Sequence, residues 1–417
     1  MITWANLRSS AAPWLVLPAF LYVALYITDA THTVPSGYGV ESGELAAYGV
    51  AVIAPAVAGA AAWEAGRHRL VGALRTTSAR HPVQRLFRAT APVLLMHLLL
   101  VAATLVMARR AVGVWPGDSG WLAAAHLVVL PLGWLVIGWS LGEILPRSVA
   151  APVAGIGCWT WLSVPQSTAN AWLRHLGGFV PETSPVTDVR ESAVYTVPWL
   201  VVACLALACR LLVRPRRRVL GAAVGALVVV GAFVAGRLLV ADWGYYPPTS
   251  PRDVAMSCTG EAPRVCVPPE YRPYAERLRR DALAPLSRLR AAGLTGPREL
   301  RITSANTRLE PGTWRLYWGL PARRAHSVDD QYAANLAQSA VVGTASLAGF
   351  TDCPRPGLLP VAWAALVIGV DERAVQQGMP EADWAALRDV RRLPAEEQSR
   401  WFDTTVRSGK GCEADAS

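Results

Sequence analysis

Lysine is all but missing from this chain: of its 40 basic side chains, only Lys410 is a lysine. A Walker A loop needs that residue to reach the nucleotide phosphates, and Ser408-Gly409-Lys410-Gly411 lacks the hydroxyl residue that should follow. ATP hydrolysis by that route is excluded for this chain. HExxH, CxxC and any run of paired carboxylates are also absent, and the C-terminal part holds a single histidine, His326. No catalytic, cofactor-binding or metal site is expected, and the chain does not read as an enzyme. Charge is scarce as well. Charged residues make up 17% of the chain and hydrophobic ones 53%, whereas soluble proteins carry roughly a quarter charged residues. The expected fold is an α-helical polytopic membrane protein with about seven transmembrane helices, followed by a mainly helical α+β extracytoplasmic domain. At 417 residues the chain has room for both.

What the sequence has in quantity is arginine, concentrated in EAGRHRLVGALRTTSARHPVQRLFR, residues 64–88. That stretch carries Arg67, Arg69, Arg75, Arg80, Arg85 and Arg88 against one acid, Glu64. It lies between apolar runs at residues 45–63 and 89–108, each about long enough to cross a bilayer. Short cationic loops stay in the cytoplasm, so the sidedness of every other segment follows by counting outward from this one. Under that orientation the cytoplasmic segments hold twelve arginines: Arg8, the six above, Arg147, Arg214, Arg216, Arg217 and Arg218. Against them stand Glu64 and Glu143, which leaves +10, the net charge of the whole chain. The excess is topology charge, and a nucleic-acid partner is discounted.

The expected crossings are residues 11–27, 45–63, 89–108, 121–141, 149–164, 194–213 and 219–240. An N-terminal signal peptide competes for the first of these, but Thr28-Asp29-Ala30 is a poor cleavage site, and an uncleaved span fits better. Residues 28–44 read as an outer loop carrying Asp29, Glu41 and Glu44. Arg109 and Arg110 fall on the outer side against the charge rule, as a minority. Residues 169–180 (ANAWLRHLGGFV) read as a short amphipathic helix at the outer surface. An odd number of spans from a cytoplasmic start puts residues 241–417 outside, as a domain separate from the transmembrane part at 1–240. The expected localisation is a multi-pass plasma-membrane protein with a cytoplasmic N-terminus.

The cysteines bear on that sidedness. Cys258, Cys266, Cys353 and Cys412 all lie in the C-terminal part, an even number in an oxidising compartment. Three pairings are open; Cys258–Cys266 with Cys353–Cys412 is preferred, because the first closes a local loop and the second ties down the C-terminus. Helices are expected at residues 268–293, 327–350, 381–392 and 394–406, and short strands at 299–304 and 313–318. The apolar run 358–370 is too short to cross and reads as a buried helix.

Two patterns invite chemistry. Gly138-Trp139-Ser140-Leu141-Gly142 matches G-x-S-x-G, but a nucleophile elbow needs a strand-to-helix turn and this one ends a transmembrane helix. A rhomboid-like protease, which it would resemble in having a serine on the fourth span, wants a histidine on a later span, and residues 194–213 and 219–240 contain none. Small-residue helix packing accounts for the glycines. His97 and His126 lie within spans and are the intramembrane polar candidates. Their depths differ by roughly 10 Å. That separation argues against a shared metal and for neutral imidazoles hydrogen-bonded between helices.

The arginine stretch itself has two readings. It could be a topology determinant that binds anionic lipid, or a short helix around residues 70–74 offered to a cytoplasmic partner. Its length favours the second.

On three positional features the chain resembles the permease subunits of ABC transporters of the type-2 exporter kind, in their actinobacterial form. These are ANLRSSAAPW (residues 5–14), like the elbow before the first span; WEAGRHR (residues 63–69), opening a long cytoplasmic loop; and the outer segment 169–180 between spans five and six. The likeness covers about residues 1–213, and the extra span and cysteine-bearing tail depart from it. The tail is similar to domains of unknown function on actinobacterial permease-like proteins. The resemblance implies a homo- or heterodimer with a second permease and a separate ABC ATPase gripping residues 64–88. Neutralising Arg67, Arg69 and Arg75 together is then expected to abolish co-purification with that ATPase. The competing expectation is a non-transporting membrane anchor or sensor whose extracytoplasmic domain binds an envelope ligand.

Overall fold

The computed structural model describes residues 8, 10–29, 35–70, 82–168, 170–213, 218–304, 307–317, 328–347, 355–408 and 412–413. The chain divides into two compact units. The first holds residues 1–31, 38–184 and 189–250, and the second holds 32–37, 185–188 and 251–417.

The first unit is built of helices: α1 (Ala12–Asp29), α2 (Gly39–Ala47), α3 (Val50–Leu70), α4 (Pro82–Val112), α5 (Gly120–Ile144), α6 (Arg147–Ser163), α7 (Ala171–Gly177), α8 (Ala193–Leu212) and α9 (Arg218–Leu239). Among the described residues, six helices are long and apolar enough to cross a bilayer, with α2 and α3 running on as one of them over Gly39–Arg69. The helical membrane-protein class expected from composition is what the structure has. α6, expected as the fifth crossing, is 17 residues long and runs into a 3-10 turn at Val164–Ser167.

α3 lies at the centre, packed along α5 and α6. Its alanines make that closeness possible, for Ala54, Ala58, Ala60, Ala61 and Ala62 are all fully buried. Without a hydrophobic drive between helices in lipid, small side chains that let backbones approach are what hold spans together. α4 has 31 residues, roughly 46 Å at helical rise. Its apolar window begins only at Ala89, so the turns carrying Arg85 and Arg88 extend beyond it. α9 is covered mainly by α8, and its leucines at 220, 227, 238 and 239 are exposed.

One boundary differs from expectation. The second crossing begins at Gly39 rather than at residue 45, so Glu41 and Glu44 are helical and Glu44 is buried. The physical reason is a backbone-to-backbone approach. A Cβ on Gly39 would meet Gly117 N at 2.8 Å, and one on Gly43 would meet the Gly120 carbonyl oxygen at 1.9 Å.

The second unit carries a four-stranded sheet of β1 (Ser257–Thr259), β2 (Arg264–Val267), β3 (Glu299–Arg301) and β4 (Thr313–Arg315), in that order. β1 and β2 are antiparallel, whereas β2 with β3 and β3 with β4 are parallel. Cys258 and Cys266 stand opposite each other in the first pair and form a disulfide. The other expected pair involves Cys353, which lies outside the described residues. The alternation that makes one face apolar runs across the register: Val265, Leu300 and Trp314 are mutual partners, all buried. α10 (Ala275–Ala291) packs on β2 and α11 (Val328–Leu347) on β4. The 13-residue apolar run becomes α12 (Leu358–Ile368), with Trp363 fully buried and its indole donating to Gln398 at 2.9 Å. α13 (Glu372–Gln377), α14 (Glu381–Arg391) and α15 (Ala395–Arg407) follow, and a short antiparallel pair joins Arg355–Pro356 to Cys412–Glu413.

On the opposite, polar face of the sheet, Glu299 accepts from Arg264 at 2.6 Å and from Arg301 at 2.7 Å. Burial works to raise its carboxyl, but the two guanidiniums overcome it and leave the group below the ordinary carboxylate range. A carboxyl lowered in the folded state contributes stability that is complete above its unfolded value, about 4.3, and is lost as pH falls through the folded one. Glu299→Gln is therefore expected to melt lower than the parent at pH 7, with the gap closing as pH drops below about 4. Melting curves of the full-length protein at both pH values check this.

Candidate functional site

The arginine-rich end of the first unit is built on Glu64. It sits on α3, fully buried, and a buried carboxylate must be paired to be tolerated. One oxygen takes Arg67 through Nε at 2.9 Å and Nη2 at 2.6 Å, and the other accepts the backbone N–H of Ala11 at 3.1 Å. Glu64 thus ties α3 to the segment that enters α1. Two residues on from Arg67, Arg69 donates to the Ile144 carbonyl at 2.8 Å, satisfying an orphan acceptor at the C-terminus of α5. Arg147 at the start of α6 lies 4.9 Å over the Trp63 ring. Nearby Glu143 accepts from the Trp139 indole at 2.9 Å and from Arg210 of α8 at 2.6 Å.

The sequence-predicted arginines therefore fall into different roles. Arg67 and Arg69 are bonded into the bundle. Arg85 and Arg88 lie on the first turns of α4. Arg75 and Arg80 lie outside the described residues.

The intramembrane histidines are both hydrogen-bonded between segments. His97 meets the Leu127 carbonyl of α5 at 3.2 Å. At His126, the Trp199 indole can only donate, so Nδ1 accepts it at 2.7 Å and Nε2 donates to the Gly178 carbonyl at 2.6 Å. Among the described residues no cluster of His, Cys, Asp and Glu suited to a metal ion occurs.

His126 belongs to a larger buried polar chain that the sequence did not single out. Tyr195 stands edge-on to it at 5.5 Å, within reach of the charges of Arg190 and Glu44. Glu44 pairs with Arg190 at 3.5 Å and accepts both the Ser184 backbone N–H and, at 2.8 Å, its hydroxyl. Arg190 also donates to the Glu182 carbonyl. Glu44, Arg190, Tyr195 and His126 are all nearly inaccessible. The signal that could have found Glu44 is the Gly39–Gly43 spacing, a small-xxx-small pair that marks helix contact and extends the span outward.

The G-x-S-x-G pattern has a structural role. A Cβ on Gly138 would meet the Ala58 carbonyl oxygen at 2.2 Å and one on Gly142 the Ala62 carbonyl oxygen at the same distance, so the two glycines seat α5 on α3. Ser140 donates to the Val136 carbonyl of its own helix at 2.7 Å.

At the level of class this is a helical membrane protein with a small mixed-sheet unit at its C-terminal end. Residues 265–412 match the model of a family described as a domain of unknown function, DUF7224. The match covers much of the second unit and none of the membrane helices. No curated protein matches the chain, and no solved structure matches it.

Proposed function

We propose that this chain is the membrane-spanning permease subunit of an ABC-type transporter, driven by a separate ATPase that docks on the loop at residues 64–88. The observation that carries the reading is how the base of that loop is fastened. Through Glu64, Arg69 and Arg147 the last turns of α3 are bonded to the entry of α1, the end of α5 and the start of α6. A pull on the loop would move four helices together, which is what coupling to a motor requires. The chain would enter from the cytosol and cross seven times, with α6 at roughly 25 Å counting as a short crossing. The second unit would then lie outside, in keeping with the Cys258–Cys266 disulfide. The working assembly would pair this chain with a second permease, of the same or a different kind.

Because Arg67 and Arg69 also hold the bundle together, their removal would confound docking with folding, and the test uses Arg75 and Arg80. Arg75→Gln with Arg80→Gln is expected to lose the ATPase from pull-downs at least tenfold, if each charge-assisted contact is worth about 1 kcal/mol or more. Insertion and melting should stay as in the parent. An unchanged pull-down, or none in the parent, contradicts the proposal.

A second reading, a non-transporting sensor, is favoured by one feature. The second unit has a polar cleft of about 240 Å³ lined by Thr295, Thr344, Ser399, Arg400, Asp403 and Arg407. On that reading the cleft would take an envelope ligand, and no ATPase would accompany the chain.

A further inference from the structure

We infer that the arginine-rich end of the first span is a binding site for one anionic phospholipid, whose two acyl chains lie in clefts on either side of α1. The inference holds whichever way the chain is threaded. It rests on four observations about α1. Two apolar clefts flank this helix, of about 530 Å³ and about 330 Å³, within the range of roughly 300–1,000 Å³ that ligand pockets occupy. The larger is walled by α3 and α6 through Pro55, Gly59, Ala151 and Gly155, the smaller by α4 through Pro92, Leu95, Met96 and Leu99. Both share Arg8 and Trp14 at one end, and Trp14 is 78% exposed between them. Trp63, which lines the larger cleft, carries Arg147 on its ring.

Among the described residues that line the two clefts none is acidic, and the neighbouring Glu64 is fully buried against Arg67. An apolar trough open to the bilayer takes acyl chains. Two guanidiniums and a tryptophan at headgroup level select among headgroups, preferring one with net negative charge. A second copy of this chain would have to set its own Arg8 and Arg147 close to these, which like-charge repulsion disfavours. The inference uses neither Arg75 nor Arg80.

The test titrates delipidated full-length protein with phosphatidylglycerol or phosphatidylcholine and counts bound lipid by native mass spectrometry. At about fivefold per arginine, the parent is expected to prefer phosphatidylglycerol roughly thirtyfold. Arg8→Gln with Arg147→Gln should bring that preference to about one, while Arg8→Lys with Arg147→Lys should keep most of it, which separates charge from folding. Gly155→Leu should lower binding of both lipids, since a Cβ there meets only Pro55 O at 3.5 Å and the longer side chain fills the larger cleft. Equal binding of the two lipids by the parent, or a preference untouched by the glutamines, overturns the inference. So does a lipid-independent dimer that Gly155→Leu dissolves, which would make the groove an interface between copies.

Discussion

Gly138→Val is expected to be among the most damaging single substitutions in the membrane unit. A Cβ at this position would sit 2.2 Å from the Ala58 carbonyl oxygen and 2.9 Å from its carbon. These are backbone atoms of a helix interior and cannot rotate away as a side-chain end could. Either α5 withdraws from α3, opening gaps along the alanine seam at Ala58, Ala61 and Ala62, or the helices distort. Overpacking of this kind costs about 1–3 kcal/mol. Gly142→Val should behave alike, its Cβ meeting the Ala62 carbonyl oxygen at 2.2 Å. Gly157→Val is the control, because nothing lies within 4 Å of a Cβ there. Thermal melting in detergent should rank Gly138→Val and Gly142→Val well below both the parent and Gly157→Val. Equal melting of all four proteins would mean that the α3–α5 contact is looser than described.

The second large effect is expected at Glu44. Glu44→Ala removes the carboxylate that pairs with Arg190 and receives the Ser184 N–H and hydroxyl. A guanidinium 7% exposed is then left without its counter-charge. Breaking one side of a buried pair costs about 3–5 kcal/mol, because the surviving charge stays desolvated. In a protein of this size the melting temperature should fall on the order of 10 °C. Removing both members should hurt less than the sum of the single changes, so Glu44→Leu with Arg190→Met should recover part of the loss. Strict additivity would show that the two groups do not interact. His126 and Trp199 lie further along the same chain of contacts, so Trp199→Phe should shift the imidazole environment of His126 in NMR spectra without lowering stability comparably.

Much of the helical architecture was legible in residue pattern. Apolar runs bounded by arginine clusters marked the spans, and Gly138 with Gly142 marked a close helix contact, since both signals are local. The start of the second crossing was not legible. Glu41 and Glu44 make residues 39–47 look like loop, and only the fold shows that Glu44 finds Arg190, 146 positions away, and so can be buried. The arginines of residues 64–88 look interchangeable in sequence. That Arg67 and Arg69 are bonded into the fold depends on Glu64 being buried and on Ile144 ending its helix beside Arg69. The hairpin of β1 and β2 escaped notice because its strands are only three and four residues long, too short for alternation to register. The permease resemblance rests on residues 1–213 and the family match on residues 265–412. The two share no residue, so neither speaks for the other.

The proposed coupling stands on sidedness, and one labelling experiment reads it directly. Ser78→Cys, between Arg75 and Arg80, and Ser417→Cys, at the C-terminus, are each exposed in intact cells to a maleimide that cannot cross the membrane. The account predicts that Ser417→Cys is labelled at once and Ser78→Cys only after the cells are permeabilised. Labelling of Ser78→Cys in intact cells, with Ser417→Cys protected, would contradict it, because no cytosolic ATPase could then reach the loop.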